Sequence, residues 1–155
     1  MRRGRHWTER ATDDRGSASL EFITAGLILL VPLVYLVIAL AHIQGGSLAV
    51  TGAARQAARV FVLADSPADA RERVDAAVRV SLADFGVDAD DAHVSVTCSA
   101  GAGAECLARG EVVTVTVNVR VPLPLVPDVL DVRSASSVPV QARAVQKVSR
   151  FWGAP

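Results

Sequence analysis

The residue whose chemistry stands out in this sequence is Glu21, the last charged residue before a long uncharged run. It closes the stretch RGSASLEF (residues 15–22), and the run from Phe22 to Ala54 has no Asp, Glu, Lys or Arg before Arg55. A carboxylate beside a membrane-length segment is costly unless a cation pairs with it. The simpler alternative is a carboxylate near a helix start, where the helix dipole stabilises it by about 0.3–1 kcal/mol. Either interpretation gives Glu21 an electrostatic role.

The second candidate for chemistry is a pair of cysteines, Cys98 and Cys106, which bracket the small-residue segment SAGAGAE. Outside the cytoplasm we expect them to form a disulfide, and free thiols are the alternative. Closing so short a loop stabilises a fold by about 2–3 kcal/mol in the chain-entropy view. A metal site is not expected, because two thiols are too few and the nearest histidine, His93, has no partner histidine.

No arrangement of residues predicts catalysis. The three histidines, His6, His42 and His93, are far apart, and no G-x-S-x-G, P-loop, H-E-x-x-H or dinucleotide-binding motif occurs. The adjacent Asp90 and Asp91 lie in DADDA, which is typical of a solvated turn. We therefore expect no enzymatic activity, no cofactor and no small-molecule substrate. The net charge of zero does not favour a nucleic-acid partner either.

The element that must position Glu21 is the apolar run itself. Residues 22–43 read FITAGLILLVPLVYLVIALAHI and contain no Asp, Glu, Lys or Arg. About 20 such residues cross a bilayer as a helix. Residues 1–16 carry five arginines against three acidic residues. A basic segment before the span predicts a cytoplasmic N-terminus and an exported C-terminal region.

Three other interpretations of the run stay open. It could be a buried core helix, although it is longer and more apolar than a core helix needs. It could be a plain single-pass anchor. It could also be a secretory signal peptide cut after ALA, residues 39–41, with His42 as the first mature residue. Its length exceeds the usual apolar region of a signal peptide, and this interpretation leaves Glu21 without a role.

The order of features around Glu21 resembles a known signal. A basic leader, a Gly, four residues, a Glu and an apolar span resemble the class III signal of type IV prepilins. RGSASLEF, the span and the following AARQAAR resemble the TadE-like minor pseudopilins of the tight-adherence (Tad/Flp) pilus system. The resemblance covers about residues 15–62, and Phe22 matches the residue that commonly follows the Glu there. Shorter TadF-like relatives share this pattern, so the choice between the two stays open.

The resemblance implies cleavage after Gly16 by a membrane prepilin peptidase, so that Ser17 begins the mature chain and Glu21 becomes its fifth residue. The new α-amino group has a reference pKa of about 8 and is mostly charged. Glu21 would neutralise it within the chain or in a neighbour and so set subunit register, with Phe22 beside it. The implied partners are the peptidase, other pilins and pseudopilins, Tad membrane assembly proteins and the membrane. The implied location is the cell membrane or a surface pilus.

Apolar spacing predicts two helices. The first continues past the membrane to about residue 61, with Arg55 and Arg59 on a solvated face, a kink at Pro32, and loosening at Gly45-Gly46. Its apolar face comprises Val50, Ala54, Ala57 and Phe61. The second helix begins at Ser66-Pro67 and ends at Gly86, with an apolar face of Val74, Val78, Leu82 and Phe85.

Alternating valines predict an antiparallel sheet. HVSVTC (93–98) and EVVTVTVNVRV (111–121) alternate, and the prolines of PLPLVP (122–127) break the pattern. A third strand is expected across 130–144, with Pro139 at an edge position. Its predicted inward residues are Val132, Val138, Val140, Ala142 and Ala144.

The expected fold is therefore α+β, single-pass and pilin-like. It comprises a long N-terminal transmembrane helix, a short second helix and a small antiparallel β-sheet. The expected domains are a basic leader peptide (1–16), a transmembrane and extended N-terminal helix (17–62) and an extracytoplasmic α+β domain (63–155).

Overall fold

A computed structural model describes residues 17–101, 106–124 and 136–153. The elements are helix α1 (Ser17–Val62), helix α2 (Pro67–Ala83) and strands β1 (His93–Cys98), β2 (Val112–Pro122) and β3 (Ser137–Lys147). The expected α+β class is confirmed. The chain divides into two compact units, Met1–Val37 and Ile38–Pro155, and each is described by itself. The predicted leader, residues 1–16, lies outside the described residues.

The described part of the first unit is the N-terminal portion of α1. Its large apolar side chains are exposed on all sides of the helix, from Leu20 at 68% to Val37 at 60%. Pro32 lies within α1, and the helix continues through it. Pro32 therefore does not end the helix, and the kink expected there stays a prediction.

The second unit contains the rest of α1, which buries one stripe of mostly small side chains. The predicted apolar face is confirmed, since Val50, Ala54, Ala57 and Phe61 are all buried. Arg55 and Arg59 are exposed on the other side, as expected. The stripe is wider than predicted and also contains Ala49, Ala53, Ala58 and Val62.

Gly46 has a packing role that its neighbours in sequence do not predict. The Gly45-Gly46 pair lies within the continuous helix α1, and the predicted loosening stays a prediction. Gly46 is buried, and a Cβ atom added there would lie 2.5 Å from Cγ2 of Val121 in β2, whereas one added at Gly45 would meet nothing within 4 Å. Gly46 therefore permits close approach of the helix to the sheet, because its lack of a side chain leaves room for Val121.

Helix α2 begins as its sequence predicts. The Ser66 hydroxyl accepts a hydrogen bond from the Asp69 N–H at 3.2 Å, and Pro67 occupies the first helical position. The Asp69 carboxylate in turn accepts from the Asp65 N–H at 3.0 Å and from Arg73 Nε at 2.7 Å. Hydrogen bonds and the Arg73 charge lower the pKa of Asp69. The Ser66 and Asp69 side chains thus accept from two backbone N–H groups at the start of the helix, where N–H groups have no intrahelical partner.

The C-terminal end of α2 differs in one residue. Val74, Val78 and Leu82 are buried as expected, but Phe85 is 53% exposed. The helix ends at Ala83, and Gly86 has a positive φ of 66°. This turn allows the Val87 N–H to donate to the Leu82 carbonyl at 3.0 Å. Val87 is buried instead of Phe85.

The sheet is antiparallel in the order β1-β2-β3. The central strand β2 shows the predicted alternation, and its inward valines are nearly inaccessible: Val113, Val115, Val117, Val119 and Val121. Thr116 is also buried, at 8% exposure, although it lies on the outer face. Its cross-strand neighbours are Ser95 and Arg143. Because β2 has a strand on each side, Thr116 is covered although the alternation alone predicts an exposed side chain.

Strand β3 covers Ser137–Lys147 and so extends three residues past the predicted end at Ala144. Residues 130–135 of the predicted strand lie outside the described residues. The predicted inward residues Val138, Val140, Ala142 and Ala144 share one face, whereas Val132 lies outside the described residues. Pro139 is on an edge strand, as expected for a residue that cannot donate a ladder hydrogen bond.

We expect Gly46→Ala to destabilise the protein relative to Gly45→Ala by about 1–3 kcal/mol, because only the first substitution overpacks the core. Both variants gain the same intrinsic helix propensity, so the comparison isolates the clash with Val121. The measurement is denaturant unfolding of the full chain in detergent micelles. Adding Val121→Ala should restore part of the loss in Gly46→Ala but not benefit Gly45→Ala. Equal stabilities of the two glycine variants would contradict the assignment.

Candidate functional site

Glu21 and Phe22 lie in a segment of α1 where no side chain is covered. Glu21 is exposed, and Phe22 is 80% exposed. Glu21 is the sole acidic residue of α1. A helix that is apolar on all sides is stable only in apolar surroundings. The carboxylate therefore lies at one end of an apolar surface that water does not favour.

The described residues begin on the C-terminal side of the predicted cleavage position. Gly16 lies outside them, and Ser17 is the first described residue, within α1. Residues 17 and 21 are four apart, so on an α-helix they lie on the same face about one turn apart. A carboxylate at residue 21 can thus reach the backbone nitrogen of residue 17, or that of a neighbouring chain. Cleavage after Gly16 stays a prediction.

The described residues contain one helix that is long and apolar enough to cross a membrane. Of the most apolar window in that helix, 6% is buried. A buried core helix would have most of its apolar side chains covered by protein, and this segment does not. Membrane anchors and N-terminal signal sequences both meet this criterion of length and composition.

The predicted disulfide is present between Cys98 and Cys106. Cys98 is the last residue of β1, so the bridge closes the turn that leads towards β2. Leu107, directly after the second cysteine, is buried in the core at 3% exposure. The bridge therefore fixes the return of the chain next to a core side chain.

Glu111 organises the same turn, and sequence patterns did not identify it. Its Oε1 accepts a hydrogen bond from Ser99 Oγ at 2.5 Å and another from the Ala100 N–H at 2.6 Å. These two hydrogen bonds lower the pKa of the Glu111 carboxyl, because they favour the charged form. A glutamate just before a valine strand looks like a solvated strand end, so only the tertiary contact shows its role.

Trp152 ties the end of the chain to two other segments. Its indole Nε1 donates to the Ala64 carbonyl at 2.9 Å, and its own carbonyl accepts from Arg109 Nε at 2.8 Å. Trp152 is partly buried against the core. The one sequence signal was its rarity, since the chain is 5% aromatic.

A groove of about 830 Å³ lies on the outer face of the sheet. Its lining brings together a histidine, two carboxylates and two side-chain amides: His93, Asp88, Asp91, Asn118 and Gln141. Asp88 caps its own turn by accepting from the Asp90 N–H at 3.0 Å, which confirms the predicted turn. Within the described ranges, no group of three or more His, Cys, Asp or Glu side chains is placed to hold a metal ion. The groove lining therefore supplies hydrogen-bond donors and acceptors.

No protein-family model, curated protein or solved structure shows significant similarity to this chain. The site must therefore be interpreted from its own residues.

We expect Glu111→Gln to lower stability at neutral pH and to have little effect in acid. The folded-state pKa of Glu111 is lowered, so its stabilisation is present above the unfolded pKa of about 4.3 and is lost as pH falls through the folded value. The measurement is the urea midpoint at neutral and acidic pH for both proteins. Glu72→Gln, at an exposed position of α2, is the control and should leave the midpoint unchanged. A gap that persists undiminished in acid would contradict this account.

Proposed function

We propose that the chain is a TadE-like pilus assembly protein, a minor pseudopilin that a prepilin peptidase processes and that supports Tad/Flp pilus biogenesis and adhesion. The observation that carries the proposal is the helix segment from Leu20 to Leu40. Its large apolar side chains are exposed and Glu21 is its one acidic residue. Such a segment requires hydrocarbon or other apolar helices around it, and a pseudopilin meets both at different stages.

The second unit fits an exported domain. Its core is mainly alanine and valine, and a disulfide closes the β1–β2 turn. Disulfides persist in oxidising compartments, outside the cytoplasm. The basic leader predicts the same orientation, with a cytoplasmic N-terminus and a C-terminal domain outside. This supports a single-pass membrane protein whose partners lie in or beyond the membrane.

Glu21 would act once the leader is removed. Cleavage creates an ammonium group at Ser17, one helical turn from the carboxylate. Both charges would then lie among apolar helices, where a charge must be paired. Pairing within one chain or between neighbours satisfies both groups. Other pilins, pseudopilins and Tad membrane assembly proteins are the partners that such packing would bring together.

The alternative function is that of a secreted or membrane-anchored binding module with an ordinary signal sequence. Its candidate cleavage site, after Ala41, precedes the continuous core cluster, which starts at Ala49. Removal of residues 1–41 would therefore leave the buried stripe of α1 with the exported domain. The groove on the outer sheet face would then be the binding surface to examine. The first residue of the mature protein separates these functions.

We expect the mature chain to begin at Ser17. The measurement is N-terminal sequencing, with intact mass, of the protein extracted from membranes. Gly16→Val should prevent cleavage without preventing insertion, because a side chain at the cut site obstructs the peptidase while the span is unchanged. Gly26→Val, within the span, is the control and should be processed normally. A chain that starts at His42 would establish secretion, and one that starts at Met1 would leave a plain anchor.

We expect Glu21→Gln to be inserted and processed normally but to fail in pilus assembly. The substitution keeps shape and removes the charge, so the Ser17 ammonium would lose its partner in a low-dielectric bundle, at a cost of about 3–5 kcal/mol. The measurement scores processed protein and surface pili in the same cells. Glu21→Asp retains the charge and should keep part of the piliation. Normal piliation with Glu21→Gln would return Glu21 to a helix-start charge.

A further inference from the structure

The two edges of the sheet differ in how well they are protected. In the order β1-β2-β3, strands β1 and β3 each have one side that no other described strand pairs with. Edge strands attract further strands unless prolines, charged residues or other devices prevent pairing. Strand β3 carries Pro139, Arg143 and Lys147. Strand β1, HVSVTC, has no proline, lysine, arginine or acidic residue.

The inner face of β1 is also incompletely covered. Val94 and Val96 are partly buried, whereas their cross-strand partners in β2, Val117 and Val115, have 0% exposure. The core therefore covers the central strand fully and the β1 edge only in part. An additional strand beside β1 would bury more of these two valines, and this burial of apolar surface would favour pairing.

The sequence of β1 is complementary to itself in the antiparallel direction. If two copies pair about Ser95, each Val94 lies opposite Val96 of the other chain on the inner face. On the outer face, His93 lies opposite Thr97, and Ser95 lies opposite itself. None of these pairs brings together two Asp, Glu, Lys or Arg side chains, which would repel directly across an antiparallel ladder. The same pairing of β3 about Arg143 would place two guanidinium groups opposite each other.

We propose that β1 is a self-association edge that pairs antiparallel with β1 of a second copy of this chain. The contact is isologous, because the same residues contribute from both chains, and it joins two three-stranded sheets into one of six strands. It goes beyond the proposed function and does not rest on it. It holds equally for a pilus component, an anchor or a secreted module.

The contact is small. Six residues of strand extend about 20 Å, which is short for a stable interface of standard size. Association is therefore weak in dilute solution and forms where copies are concentrated, as on a membrane. Cross-linking in place, which traps a weak contact, is a better measurement than the size of the purified protein.

The experiment introduces one thiol at residue 95, which lies opposite itself on the two-fold axis of the proposed pair. Full-length Ser95→Cys is produced in cells, and the membranes and the concentrated medium are each treated with a short bismaleimide, so that an anchored and a secreted protein are both sampled. Opposite positions in an antiparallel pair have Cβ atoms about 4.5–5.5 Å apart, so the two introduced thiols can be joined. Cys98 and Cys106 are bonded to each other and do not compete. Gln141→Cys, an exposed position on the protected edge strand, is the matched control.

We expect a covalent dimer of twice the chain mass with Ser95→Cys and little dimer with Gln141→Cys. In the Ser95→Cys background, His93→Lys with Thr97→Lys would place like charges opposite each other and reduce the dimer about tenfold. His93→Lys with Thr97→Glu places opposite charges there and should restore it. All three altered side chains are exposed on the outer face, so the fold is preserved. Equal dimer from Gln141→Cys, a product joined to a different protein, or insensitivity to the paired lysines would overturn the proposal.

Discussion

The structure depends on one requirement: helix α1 needs apolar surroundings along most of its 46 residues. In the second unit the requirement is met internally, because a stripe of alanines and valines is covered by the core. In the first unit the described residues do not meet it, since large side chains from Leu20 onward are exposed. Burial of apolar area is the main favourable term in folding, so the exposed segment must find its cover elsewhere.

The buried part of α1 shows how a core can be built with few aromatic residues. Small residues such as Gly46 and Ala49 let a helix backbone approach a neighbouring surface. Strand β2 presents β-branched valines that are stiff about χ1. Valine on a strand and alanine on a helix fit closely because neither needs much rotamer freedom. The contact between Gly46 and Val121 is the point where this fit leaves no space for a further carbon.

Local patterns predicted the features that depend on neighbours in sequence. The Ser66-Pro67 helix start, the alternation in β2 and the cysteine pair that closes a turn all have signatures a few residues long. The features that were missed depend on distant contacts. The packing role of Gly46 depends on Val121, which is remote in sequence, so local patterns show only its low helix propensity. Trp152 likewise donates to Ala64, which is 88 residues away. The buried Thr116 follows from its place in a central strand, which alternation does not encode.

The sequence predicts that the exposed part of α1 is apolar, but it does not predict how this part packs against other helices. The reason is the apolar character of the lipid around it. Lipid tails are as apolar as leucine, so sliding or rotating a uniform apolar helix against its neighbours changes the free energy little. Between Leu20 and Leu40 the sequence supplies one charged group that breaks this uniformity, the Glu21 carboxylate. A single polar position in an apolar bundle can fix register, since misplacing it leaves a charge without a partner. Any arrangement of this helix among others is therefore constrained first by where a cation can meet residue 21, and only then by the shapes of the apolar side chains.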